Sequence, residues 1–146
     1  MSDFEFKFRV RYSECDAQGV VFNARYGDYV DLAVTEFLRV GLGGYSELLG
    51  MGFETQVVRL LTQWKAPARF DDVLCAQVAP THFGNTSFTV TVTFTQAKSG
   101  TLVATSEITY VLVTASNFEK TAIPDDLRLA LQTRARGHVV DQSGQR

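Results

Sequence analysis

The sequence predicts an α+β fold in which one antiparallel sheet wraps around a single long helix. Three observations predict it. The stretch from Asn23 to Val40 spaces its apolar residues by three and four, the period of a helix buried along one stripe. Before it, residues 4–12 alternate apolar and charged side chains, the period of a strand. After it, four further segments read as strands, and only short helical turns interrupt or follow them.

FEFKFRVRY, at 4–12, sets Phe4, Phe6, Phe8, Val10 and Tyr12 against Glu5, Lys7, Arg9 and Arg11, giving a strand with one dry face. A turn runs from Ser13 to Gly19. In the helix, Tyr26, Val30, Ala33, Val34, Phe37 and Leu38 form the apolar stripe, while Asp28, Asp31, Thr35 and Arg39 lie opposite. Asn23 is the expected N-cap and GLGG at 41–44 the stop. A helical turn around Tyr45 to Leu49 precedes TQVVRLLTQW, part of a strand over 54–66 in which Pro67 marks a bend or bulge. Asp72 to Thr81 forms the next strand. SFTVTVTFTQ, 87–96, puts Phe88, Val90, Val92 and Phe94 on one face. KSG at 98–100 closes a hairpin. TLVATSEITYVLVT, 101–114, is apolar on both faces, as a central strand is. Pro124 opens a last short helix, PDDLRLALQ. One domain is expected over residues 1–146, with its core at about 4–134 and a frayed tail over 135–146.

Composition narrows the function classes. At 146 residues, 45% hydrophobic and 21% charged, the chain can bury a core of its own. A net charge of -2 gives no bulk attraction for nucleic acid, so any polyanionic ligand has to be held by a local cationic cluster. Charges break up the N-terminal apolar residues, unlike a signal peptide. No apolar run approaches the ~20 residues of a membrane span. Cys15 and Cys75 are expected to stay thiols in a reducing cytoplasm. Two histidines leave little for a His-based metal site, so neither metal nor prosthetic group is expected.

The candidate chemistry lies at the first turn. A helix N-terminus exposes backbone N–H groups and a partial positive charge, which suits a developing oxyanion. Asp16 stands a few residues upstream, with Gly19 permitting close backbone approach. A carboxylate there can attack an acyl carbon or serve as general base for water. It can equally well do no more than bond to the turn's own backbone. The residues alone leave both readings open.

RVRYSECDAQGVVFNARYGDYVDLAVTEFLR, at 9–39, resembles the signature of the 4-hydroxybenzoyl-CoA thioesterase family: an aspartate, small residues including glycine, an apolar pair, an aromatic, then Asn-x-x-Tyr. WKAPARFDDVL at 64–74 and GNTSF at 84–88 are similar to its second and third blocks, and the likeness runs from about residue 6 to 115. The resemblance implies the hotdog fold and hydrolysis of acyl-CoA thioesters, with Asp16 as nucleophile or general base. It implies carbonyl polarisation by backbone N–H near Asn23, where many members carry histidine or tyrosine instead. Substrate contacts are implied at Gly19, Val20, Phe22, Asn85, Thr86 and Ser87. Some members place basic residues where this chain has His82 to Thr86, so Arg59, Lys65 and Arg69 are the substitute cations for the CoA phosphates, or else solubility charges on strand edges. Coenzyme A would be part of the substrate rather than a cofactor. The family also implies edge-to-edge dimers, commonly paired into tetramers, with the pantetheine arm entering between subunits.

Other features read as structural. Glu36 lies about three turns into the helix, too far along to share a substrate atom with Asp16, and is expected in a salt bridge. The charge of Asp16 should raise the Cys15 thiol's pKa rather than activate it. His82 lacks an orienting acid. Two rivals to the thioesterase keep the same fold. A hydratase or dehydratase on acyl thioesters would want a histidine near Asp16, and a non-catalytic acyl-CoA-binding protein would use Asp16 for structure alone.

Overall fold

The computed structural model describes residues 2–144. In chain order it contains β1 (Phe4–Arg9), a 3-10 turn (Tyr12–Glu14), α1 (Arg25–Leu42), α2 (Tyr45–Gly50) and β2 (Phe53–Trp64). There follow β3 (Val73–Phe83), β4 (Ser87–Gln96), β5 (Leu102–Thr114), α3 (Asp125–Thr133) and β6 (Val139–Asp141). The strands form one sheet in the order β2-β5-β4-β3-β1-β6. Every neighbouring pair is antiparallel except β1 and β6.

The sheet's concave face is built by period-2 alternation. Phe4, Phe6 and Phe8 of β1, Leu74, Ala76 and Val78 of β3, and Phe88, Val90, Val92 and Phe94 of β4 are all buried. Helix α1 lies across these side chains. Near its start Tyr29 packs on Phe8 with ring centres 4.6 Å apart, and Tyr26 meets Phe94 at 5.8 Å and Trp64 at 6.0 Å. Near its end Phe37 meets Phe4 at 5.9 Å. The helix N-terminus is therefore fixed over the end of the sheet where β1 finishes and β2 finishes. Each such ring contributes about 1.5–3 kcal/mol by leaving water.

Several boundaries differ from expectation, each for a local reason. Helix α1 begins at Arg25, because Arg25 and Tyr26 N–H close tight turns on Phe22 and Asn23 carbonyls. Ala24 is the N-cap, and no side chain caps the helix, so Asn23 does not play that part. Of GLGG, Gly41 and Leu42 stay helical, and Gly43 ends the helix at φ +87°, donating to Arg39 O and Leu38 O. Strand β2 stops at Trp64. Its bulge falls between Val57 and Arg59, while Pro67 lies in the following loop. Pro124 is an N-cap rather than the first helical residue.

The tail from 135, expected to fray, is instead ordered through Ser143, with residues 145–146 outside the described range. Ala135 is in the core, at 1% exposure, and Val140 packs against it. Glu5 N–H donates to His138 O, Gln142 N–H to Lys7 O, and Arg9 Nε to Ser143 O at 2.9 Å. Gln142 Nε2 also reaches Glu36, whose other oxygen accepts from Arg39 Nε at 3.0 Å. Glu36 is thus the structural residue expected.

Candidate active site

Asp16 occupies the tip of a hairpin-like turn. Its N–H donates to Val20 O and its carbonyl accepts Gly19 N–H, both at 2.9 Å. Cys15 bridges Val21, and Phe22 N–H donates to Glu14 O at 2.9 Å. Gly19 holds φ +78°, a left-handed conformation in which a side chain would be strained. The block around Arg69 lies against the returning strand, with Val21 N–H on Ala68 O and Val20 paired to Arg69. Asp72 fixes that block, its Oδ2 accepting Arg69 N–H and Gln96 Nε2, each at 2.8 Å. Segments some fifty residues apart in sequence are thereby welded into one platform.

The Asp16 carboxylate divides its work. Oδ1 accepts Gln18 N–H at 2.8 Å, the bond of an Asx turn. Oδ2 has no hydrogen-bond partner among the described residues. With Tyr12, Cys15, Ala17, Gly19 and Phe70, Asp16 lines an open cleft of ≈ 340 Å³. The turn therefore holds the side chain by one oxygen and leaves the other without a bond among the described residues.

At the approach to α1, the N–H groups of Asn23 and Ala24 find no acceptor among the described residues, and the Asn23 side chain is exposed and unbonded. They are the spare donors that a helix N-terminus offers an anion. Tyr12 and Phe70, 78% and 53% exposed, meet edge to face at 5.7 Å beside Asp16. Sequence reasoning put Tyr12 on the dry face of the first strand and gave Phe70 no role. The strand stops at Arg9 and the 3-10 turn swings Tyr12 outward.

The other candidates separate. Gly19, Val20, Phe22 and Arg69 belong to the Asp16 platform, and the exposed Arg69 guanidinium has no ion-pair partner among the described residues. Arg59 instead pairs with Glu107 at 3.2 Å, on the face of the sheet turned away from α1. Asn85, Thr86 and Ser87 form the β3–β4 hairpin at the opposite end of the sheet, roughly 20 Å away along β4. There the carbonyls of Asn85 and Thr86 accept Ile123 and Leu112 N–H. Within one protomer these three do not meet Asp16. Neither His82, at a bulge of β3, nor His138 lies on the Asp16 turn.

Electrostatically the platform is acidic. Partial burial first, then the charges of Glu14, Asp16 and Asp72, hold the Cys15 thiol above its usual pKa. Burial, with Asp72 next, pushes the Tyr26 phenol up to about 12. Both cysteines are free. Among the described residues no three His, Cys, Asp or Glu side chains converge as metal ligands. Nor is any described helix long and apolar enough to cross a membrane.

Residues 10–131 match the Thioesterase-like superfamily. The acyl-CoA thioester hydrolase YbgC of Escherichia coli is 31% identical over 124 residues, covering 85% of this chain and 92% of that protein. Among solved structures, a hypothetical protein from Aquifex aeolicus superposes with a TM-score of 0.81 at 27% identity, covering 88% of this chain and 99% of its own. A gentisyl-coenzyme A thioesterase superposes at 0.75 with 26% identity, covering 87% and 98%.

Proposed function

We propose, for a chain that belongs to the Thioesterase-like superfamily and is a thioester hydrolase, that the bond it cuts is the thioester of an acyl-CoA, giving a carboxylic acid and free CoA. One observation carries the mechanism: Asp16, its Oδ2 unbonded among the described residues, lines an open cleft, and the N–H groups of Asn23 and Ala24, a few residues on in the chain at the helix start, are spare. In this reading those N–H groups hold the carbonyl oxygen as charge builds on it. Asp16 attacks the carbonyl carbon, or takes the proton from the water that does. Water supplies the new oxygen of the acid, and a proton ends on the departing CoA sulfur. Tyr12, Phe22 and Phe70 flank the thioester, and Arg69 offers the unpaired cation for the CoA arm. The cytoplasm, where Cys15 and Cys75 stay reduced, is the compartment this chemistry fits.

The working unit in this reading is at least a dimer. Strand β2 is a sheet edge exposing Val57, Val58, Leu60, Leu61 and Trp64 at 42–60%. Two copies pairing β2 to β2 antiparallel about a two-fold axis bring the Phe53 end of one beside the Trp64 end of the other. That places the hairpin of Asn85, Thr86 and Ser87 from one copy near Asp16 of its partner, and the candidates that one protomer separates become a composite site. Pairing of such dimers gives the tetramer.

Thiol release from acetyl-, palmitoyl- and benzoyl-CoA tests the activity and its acyl preference, and Asp16→Asn tests the mechanism. Asparagine keeps the Asx-turn acceptor and loses the reacting oxygen. Turnover should fall at least ~10²-fold, with the fold and KM nearly unchanged. A folded Asp16→Asn variant with wild-type kcat would leave Asp16 a turn residue and no more.

A further inference from the structure

We propose that Glu14 is a positioning residue, which with Tyr29 sets the Asp16 turn at a fixed place over the start of α1; the inference rests on the Asp16 reading above. The carboxylate of Glu14 does two things at once. Its Oε1 accepts the Tyr29 hydroxyl at 2.9 Å and the Arg11 N–H at 2.8 Å. Its own carbonyl accepts Phe22 N–H at 2.9 Å. One residue therefore anchors the strand entering the Asp16 turn and the strand leaving it, and ties both to the helix.

Tyr29 is a rigid post. It is 1% exposed, and its ring packs 4.6 Å from Phe8, 5.5 Å from Tyr26 and 6.3 Å from Phe94. Its hydroxyl cannot move without shifting the core. Burial first, then the bond to Glu14, hold the phenol above its usual pKa, so it remains a donor.

The acid is a costly choice for structure alone. Glu14 is half-buried, has no ion-pair partner among the described residues, and stands two residues from Asp16. What its side-chain oxygen adds is one acceptor shared by the helix phenol and the Arg11 N–H, which holds both to a single point. The mechanism needs that stiffness, since the reacting carbon has to sit between Asp16 Oδ2 and the Asn23 and Ala24 N–H groups. The turn's own bonds, through Gln18, Gly19 and Val20, fix its shape, while its place over the start of α1 depends on the two strands at its base, which Glu14 ties to Tyr29. An error of about 1 Å there can cost ~10²-fold in rate.

The test uses the full chain with benzoyl-CoA and acetyl-CoA as probes. Tyr29→Phe removes the hydroxyl and keeps the ring. It should lower kcat by about 10- to 100-fold with KM within about twofold and the melting curve close to wild type. Glu14→Ala should lose about 10²-fold, and Glu14→Gln, whose amide oxygen can still accept both donors, should recover most of that loss. In an Asp16→Asn background Tyr29→Phe should lower kcat no further, because no carboxylate is left to place. If Glu14→Ala does not fold, Tyr29→Phe still decides. Wild-type kcat in Tyr29→Phe overturns the proposal, and so does an equal loss with and without Asp16. Wild-type turnover in Asp16→Asn alone marks the different failure, that of the Asp16 reading itself.

Discussion

At one edge of the sheet, β1 is six residues long, carries Glu5, Lys7 and Arg9 on its outer face, and is covered by β6. At the other, β2 is twelve residues long, presents Val58 unpaired at its bulge, and pairs with no strand of the described residues along its free side. A free edge is a template for another chain, and proteins blunt it with charge, brevity or a cover. The β1 edge uses all three. The β2 edge has the exposed Arg59 and a bulge, but it is long, uncovered among the described residues, and adds five exposed large apolar side chains. The contrast teaches that this chain covers one side of the sheet itself and leaves the long apolar side uncovered, the side on which the proposed dimer would form.

The largest effect should come from charging the open edge. Val58→Lys with Leu61→Lys places like charges where two β2 strands would lie side by side. Sedimentation should then give a 16.2 kDa monomer. Turnover should fall at least ~10²-fold, because Asp16 loses the partner's hairpin and the water exclusion an interface provides. Circular dichroism should change little, both side chains being already exposed. A double variant that stays dimeric and active would place the interface elsewhere.

Uncovering the closed edge should cost less activity and more stability. Ending the chain at Gly137 removes the β1–β6 ladder, the flanking Glu5–His138 and Lys7–Gln142 backbone bonds, and the Arg9–Ser143 contact. At about 1 kcal/mol net for each bond, the melting temperature should drop by roughly 10–20 °C. The bared β1 should also make the protein associate further as its concentration rises. Turnover per folded molecule should hold, since the bonds of β6 run to β1, Arg9 and Glu36 rather than to the Asp16 turn. An unchanged melting curve would mean that β6 rests on the sheet without contributing.

The same contrast shows what the sequence could reveal. The Asp16 turn was legible because its chemistry is local: a carboxylate, a glycine in the left-handed region and a helix start within a few residues. Strand β4 was legible to its last residue, because Phe88, Val90, Val92 and Phe94 alternate without a break. The cover strand β6 was not, because three residues are too few to show a period. Its partner β1 lies at the other end of the chain, so no local pattern records the pairing. Arg59 and Arg69 looked equivalent as isolated cations. Only the fold shows Arg59 spent on Glu107 and Arg69 laid beside Val20. The hairpin at Asn85 to Ser87 matched the substrate blocks in composition, yet strand direction carries it to the far end of the sheet.

The smallest expected effect concerns how the cover is latched. Asp141 Oδ1 accepts both the hydroxyl of Ser143, at 2.6 Å, and its N–H, at 2.9 Å. These bonds hold the Asp141 carboxyl below its usual pKa, with Lys7 adding a little in the same direction. A carboxyl whose folded pKa is depressed contributes stability above its unfolded value, about 3.9, and loses it as pH falls through the folded value. The latch should therefore be fully closed at neutral pH and weaken below about pH 4. Amide exchange of residues 139–142, corrected for intrinsic rates, should show protection falling between pH 5 and pH 3 in the wild type. Asp141→Asn keeps an acceptor oxygen but no titrating group, so its protection should be lower at pH 5 and flat down to pH 3. Equal pH dependence in the two proteins would assign the acid response to another carboxylate. The cover would then be held by its backbone bonds to β1, by Arg9 and by the Gln142–Glu36 bond.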